Sequence, residues 1–303
     1  MSIRLAVCGV LAVALAGCAG EKWPEPPPVD QSRYQKDYQD WLDQQQNTAR
    51  EASKEVGIWP LQEGETPFGS DASLPIVLPV AAVPDRAGIL RRVGETVTVT
   101  PARGVVLEVG DGGPVKTPTV VAGQLAVGSV RMFVIPMSDG RQFVSASDEE
   151  HPLLKTLPTV QTYPVDMRWR VAARFDAFDA PKMMPVADVR GGSAEYPAVG
   201  HLTFRIGDRE QRLVAWGFPG SDDFSVMFKD ATNTTTTYGS RMLSARMVAK
   251  GEWTVLDFNV ASNPPCAYSQ YTTCPLPPAE NRMAVAIEAG EKRFPTGRGF
   301  VQQ

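Results

Sequence analysis

The sequence predicts a mainly β protein: one N-terminal helix, a small β-sandwich-like part, and a larger C-terminal part shaped as a barrel-like or curved antiparallel sheet. Three observations carry this. Short β-branched runs recur from Gly57 onward, separated by Gly, Pro, Asp and Ser. Glycine and proline stand at 26 each, and with the short runs between them this reads as β structure with many turns. Only one long stretch, from Gln31 to about Lys54, has helical spacing. A length of 303 residues sets a soft expectation of about two domains, and 43% hydrophobic with 21% charged residues suits a chain that buries a core.

Residues 1–17, MSIRLAVCGVLAVALAG, start with one positive charge at Arg4 and continue as an apolar run from Leu5 to Ala16. The run is too short to span a bilayer stably and ends in small residues, as a secretory signal does. The tetrapeptide Leu15-Ala16-Gly17-Cys18 resembles a bacterial lipobox. The resemblance implies that Cys18 is lipidated, with palmitate among its acyl chains, and becomes the first residue of the mature protein. Small residues before it let the peptidase reach the bond, and the thiol carries the lipid. Ala19 follows the cysteine where an Asp tends to hold lipoproteins in the inner membrane of Gram-negative bacteria. The expected location is therefore a lipid anchor in the cell envelope, on the outer membrane facing the periplasm rather than the inner membrane. Arg4 is the only charged side chain before Cys18, so removal of the leader takes the 30 basic residues to 29 against 34 acids and the formal charge from -4 to -5. An acidic body without a basic run excludes nucleic acid as a partner.

Residues 18–30 form a lipidated, Pro-rich tether. Its segment EKWPEPPPVD contains three consecutive prolines, which favour a stiff extended spacer holding the body off the membrane. Residues 31–56 read as an amphipathic helix with Ser32 as a possible cap. Tyr34, Tyr38, Trp41 and Leu42 share one face, which predicts packing on the domain that follows. The N-terminal β part, 57–150, contains IVLPVAAV, ETVTVTP, GVVLEVG, TVVAGQLAV, SVRMFVIPM and RQFVSAS. Its stretch EGETPFGSDASLPIVLP resembles the β-turn-β entry of forkhead-associated domains. Ser70 follows Gly69 where those domains carry a basic residue, and the similarity implies a small β-sandwich and no more. The chain breaks at HPLLKTLP and a second β part, 151–303, begins. Its predicted strands include DMRWRVAARF, GHLTFRI, QRLVAWGF, FSVMFKDA and WTVLDFNV, then a cysteine stretch, then RMAVAIEAGEKRF. In DMRWRVAARF, Met167, Trp169, Val171 and Ala173 alternate with arginines as in a half-buried strand.

The stretch from Asn263 to Arg282, NPPCAYSQYTTCPLPPAENR, is the most unusual. With Cys8 in the leader and Cys18 lipidated, Cys266 and Cys274 are the cysteines that remain, in an oxidising compartment. Four roles are open to them: a disulfide staple closing a small loop, a metal site, a catalytic thiol, or buried packing. The disulfide fits the compartment. A zinc site wants four ligands and closer spacing, and His151 and His201 are both remote in sequence. No metal and no cofactor is expected.

Polar residues gather around this stretch. Asp257 and Asn259 point to one face of a predicted strand, with Leu256 and Phe258 on the other. Asn263, Glu280, Asn281 and Arg282 come within reach if the loop folds back, and Lys229, Asp230, Tyr238 and Arg241 follow the strand FSVMFKDA. Acids, amides and cations that converge are what a polar ligand, or a carboxylate acid/base pair, requires. The same residues also suit a structural network in which Asn and Asp cap turns and Arg282 and Glu280 satisfy a loop.

The stretches GIWPLQEGETPFGSDASLPIVLP, FKDATNTTTTYGSR and LDFNVASNPPCAYSQYTTCPLPPAENRMAVAIEAGEKRF resemble members of the bacterial domain-of-unknown-function family 1684. The family's Asp-Phe-Asn, Asn-Pro-Pro-Cys, Thr-Cys-Pro-Leu-Pro-Pro, Asn-Arg and Ala-Gly-Glu groups correspond to Asp257–Asn259, Asn263–Cys266, Thr273–Pro278, Asn281–Arg282 and Ala289–Glu291. Ser262 departs from a usual tyrosine. The resemblance covers roughly residues 57–294 and implies relatedness without an activity. The functional expectation is a non-catalytic envelope lipoprotein that binds a small polar ligand or an envelope protein through the C-terminal polar cluster. The alternatives are an envelope hydrolase using Asp230, Asp257 or Glu280 as acid and base, and a purely structural lipoprotein.

Overall fold

A computed structural model describes residues 23–111, 113–137 and 139–295. The predicted leader and Cys18 lie outside the described residues.

The tether is not a free spacer. Trp23 packs edge-on against Trp253 with ring centroids 5.0 Å apart, the Arg205 guanidinium lies over the Trp23 ring, and Arg170 Nη1 donates to Pro27 O. The helix α1 (Gln31–Ser53) starts one residue later than its true cap: Asp30, not Ser32, accepts from Arg33 N, while the Ser32 hydroxyl also donates to Asp30. Glu55 and Val56, expected in the helix, open strand β1 (Glu55–Pro60). The helix docks on the C-terminal part. Tyr34 OH donates to Asp257 and Tyr38 OH to Thr162, while Ala49 and Ala52 pack with Val160, Tyr268 and Phe294.

The N-terminal β part is a sandwich of two five-stranded sheets. In one, β1 pairs with β10 (Gln142–Asp148), followed by β9 (Val130–Pro136), β8 (Gln124–Val127) and β6 (Glu108–Val109). In the other the order is β3 (Ile76–Val77), β2 (Gly64–Gly69), β4 (Gly88–Val93), β5 (Thr96–Pro101) and β7 (Thr119–Val120). Alternate residues of both inner faces, among them Phe68, Leu90, Val99, Met132 and Val144, make one core. Strand β4, GILRRV, escaped the sequence reading because its two arginines interrupt the apolar run; Arg91 points outward with Ile89, while Arg92 falls on the side of buried Gly88 and Leu90 and donates to Leu61 O and Gly140 O.

The C-terminal part is a six-stranded antiparallel sheet, ordered β15 (Arg241–Arg246), β14 (Asp223–Phe228), β13 (Arg209–Trp216), β12 (Ser193–Ile206), β11 (Arg170–Ala187) and β16 (Trp253–Asp257). It curls into a nearly closed barrel. Across the seam Thr254 Oγ1 donates to Arg246 O at 2.8 Å, and Met242 bridges Ser262. Phenylalanines fill the interior: Phe258 meets Phe204 and Phe228 at 5.6 and 5.5 Å, and Phe175 meets Phe224 at 4.5 Å. The barrel is a packed core rather than a chamber. The far ends of β11 and β12 run beyond it as a two-stranded arm that reaches the N-terminal sandwich.

Two predicted strands are corrected. Residues 167–169 form a 3-10 turn capped by Asp166, with Met167 exposed, so the strand starts at Arg170. The segment RMAVAIEAGEKRF forms no strand among the described residues. Single backbone bonds and buried side chains hold it, including Met283 N to Lys229 O and Glu291 N to Ala261 O. Its turn demands Gly290: φ is +72°, and a Cβ there would lie 2.4 Å from Ala261 O.

Candidate functional site

The ten polar residues singled out from the sequence do not converge on one pocket. They divide among several networks. Asp230 and Arg241 form a fully buried ion pair at 2.6 Å. Asp230 Oδ1 also accepts from Thr232 N and Oγ1, and Arg241 donates to Ile287 O at 2.9 Å and to Ala289 O. This pair clamps the irregular C-terminal segment to β15. Asn281 is buried between two strands. Its Oδ1 accepts from Val214 N at 2.7 Å, and its Nδ2 donates to Val214 O and Met227 O. The β13–β14 ladder has a single registered pair, Trp216 with Ser225, and the Asn281 amide replaces the missing rungs.

Asp257 and Asn259 do meet, but not on a strand face. Asp257 caps the 3-10 turn Phe258–Val260 by accepting from Asn259 N. Asn259 closes a two-way amide bond with Asp166, accepting from its N at 3.0 Å and donating to its O at 3.1 Å. Burial and the neighbouring Asp257 carboxylate raise the Tyr34 phenol well above its ordinary range. Asn263 belongs to a third group: its N–H donates to Glu291 Oε2 at 2.9 Å, and Tyr268 OH donates to the same oxygen at 2.6 Å. Glu291, not selected from the sequence, is completely buried, and burial pushes its carboxyl up to about 7. A lone Glu in a Gly-Glu-Lys turn carries no periodic signal that would mark it as internal.

Lys229, Glu280 and Arg282 stand near the surface. Lys229 bridges Arg282 backbone to backbone, and burial together with the Arg282 charge lowers the Lys229 ammonium. Glu280 approaches His201 Nε2 at 3.4 Å, while Arg212 Nη2 lies 2.8 Å from His201 Nδ1. The arginine can only donate, so Nδ1 is the acceptor and Nε2 carries the proton. Burial lowers the His201 imidazolium below its usual range.

The cysteine loop answers differently from expectation. Cys266 and Cys274 are free thiols, both buried, with Cys266 N–H donating to Cys274 Sγ at 3.1 Å; the expected disulfide is not formed in this structure. Tyr238 packs on the pair, and its OH donates to Cys266 O. The thiol–thiol hydrogen bond holds Cys266 up and lets Cys274 down. Among the described residues, no three of His, Cys, Asp and Glu cluster as a metal site requires.

The outer side of this loop walls a cavity. A space of about 360 Å³ lies where the loop meets the arm and the sandwich edge. Ile58, Ile135 and Val186 supply apolar walls, and Ser145, Tyr196 and Thr272 supply hydroxyls. It continues past Glu55, Ser145, Pro265 and Thr272 into a groove of about 850 Å³ beside α1. The arm ends in a tight turn in which Asp188 accepts from Arg190 N and Gly192 N, and Arg190 Nη2 reaches Gln270 O of the loop at 2.7 Å. The Arg141 guanidinium crosses from the sandwich towards Asp188 and passes so close to Gly192 that a Cβ there would make it move aside. None of the ten predicted residues lines either space. The loop was legible as unusual; its role as a wall depends on a sandwich edge far away in sequence.

Residues 155–292 match the family described as "Protein of unknown function (DUF1684)". An uncharacterized protein of Haloarcula marismortui, solved by solution NMR, is 28% identical, with the alignment covering 46% of this chain and 78% of that one and a TM-score of 0.40. No curated protein matches the chain.

Proposed function

Through residues 155–292 this chain belongs to the DUF1684 family, and from that premise we propose that it is a non-catalytic, lipid-anchored envelope protein that holds a small molecule in the cavity behind the cysteine loop. The observation that carries the proposal is the placement of the polar groups. Asp230 is consumed by Arg241, Asp257 caps a turn, and Glu280 is exposed, whereas the loop, arm and sandwich edge line an open cavity of about 360 Å³. That volume lies in the range of small-molecule sites. Apolar walls with a few hydroxyls suit a small amphiphile that has hydrogen-bonding groups at one end.

Native mass spectrometry of the protein exported with its own leader tests this. The expected result is extra mass that disappears on denaturation, and its loss in Ala194→Trp, which fills the cavity from the arm. A spectrum without bound mass, or bound mass unchanged by Ala194→Trp, overturns the cavity reading. The anchor at Cys18 is tested separately by labelled palmitate, which Cys18→Ser should fail to incorporate.

A further inference from the structure

We propose that the outer face of the barrel around Trp23 and Arg205 rests directly on the lipid bilayer; this builds on the lipid-anchor reading above. The argument starts from the tether. Its prolines predict a spacer, yet from Trp23 onward it is bound to the body through Trp253, Arg205 and Arg170. Only five Cα–Cα steps separate Cys18 from Trp23. Fully extended they reach at most ~18 Å, whereas twelve free steps to Asp30 would reach ~43 Å. A bilayer holding acyl chains at Cys18 therefore lies against the body and cannot stand a domain's width away.

The face that meets it follows from the strand register. Arg212 pairs with Thr203, Thr203 with Arg174, and Arg174 with Trp253, so these four residues form one row across β13, β12, β11 and β16. Directly paired residues point to the same side of a sheet. Arg205 lies two residues along β12 from Thr203, on that same side, and carries Trp23 over its guanidinium. Of the acids on this face, Asp176 pairs with Arg174 at 3.0 Å, and Glu210 lies opposite Arg205 in the strand register. Tryptophan and arginine beside a lipid attachment are the residue types that settle at headgroup level. The tether also runs past Met167, an exposed apolar side chain, and Arg168.

The test uses the full lipidated protein in vesicles of phosphatidylethanolamine and phosphatidylglycerol. A fluorophore is placed at Asp208→Cys, in the β12–β13 turn, or at Glu95→Cys, in the β4–β5 turn, since Cys266 and Cys274 are buried. The expected result is that aqueous iodide quenches the label at 208 several-fold less than the label at 95. Trp23→Ala should release the tether and bring the two values together while the protein still floats with the vesicles. Flotation with both labels equally quenched overturns the membrane face alone, as does protection at 208 that survives Trp23→Ala. Failure of the wild-type protein to float removes the anchor, and the face with it.

Discussion

At the scale of single residues, burial has moved the chemistry out of reach of solvent. Glu291 is the clearest case. Its ordinary value of 4.5 rises to about 7 because desolvation outweighs the hydrogen bonds from Tyr268 and Asn263. A raised carboxyl contributes stability that is fully present below the unfolded value and is lost as pH rises through the folded one. The fold should therefore lose about 3 kcal/mol between pH 4.5 and pH 7 from this group alone. Glu291→Gln, with its amide oxygen towards Tyr268, should flatten that part of the stability–pH curve in urea titrations; an unchanged slope would sink the assignment. His201 acts in the opposite sense. Its lowered value means stability is present above the ordinary histidine range and declines as pH falls through it, and His201→Gln should remove that decline. The Asp230–Arg241 pair adds a third prediction. Arg241→Leu strands a buried carboxylate and should cost about 3–5 kcal/mol in denaturant unfolding, far more than loss of the exposed Arg246–Asp222 pair.

At the scale of elements, asparagines do work that strands leave undone. Asn281 stands in for ladder rungs between β13 and β14, so Asn281→Ala leaves backbone groups of Val214 and Met227 unmet inside the protein. A loss of about 2–4 kcal/mol is expected from thermal unfolding. Asn259→Ala should cost about 1–3 kcal/mol, because it opens the amide exchange with Asp166. If instead Asn259→Ala left the melting temperature untouched, its role would be that of a ligand contact. The Asn-Arg and Ala-Gly-Glu groups of the family pattern thus have physical reasons here: a surrogate ladder, and a left-handed turn that delivers a buried Glu.

At the scale of the molecule, two β parts and a helix meet at one place. The barrel core is closed by aromatic packing, and a space of ligand size opens between parts, where the arm, the sandwich edge and the cysteine loop meet without filling the gap. The buried thiols support the inner side of that wall. Both should resist alkylation in the native protein and react once it is unfolded, without reductant; modification of neither after unfolding would instead mean a bridge.

The β class, the N-terminal helix and the oddity of the cysteine loop were all legible in the chain, because alternation, turn residues and helical spacing are local signals. The arginine-bearing strand β4 shows where such signals fail: two adjacent arginines fall on opposite faces, and the inner one, Arg92, is accommodated because the backbone oxygens of Leu61 and Gly140 accept from it. The family pattern likewise marked Asp257, Asn259 and Asn281 as special without saying for what. Whether an Asn caps, bridges or binds depends on which backbone groups lie within about 3 Å, and those come from segments such as Asp166 and Val214, 93 and 67 residues away. The docking of the tether through Trp23 and the cavity behind Pro265 are decided the same way. Each needs surfaces that approach only when the barrel curls and the arm reaches the sandwich, and that long-range approach is what only the tertiary structure supplies.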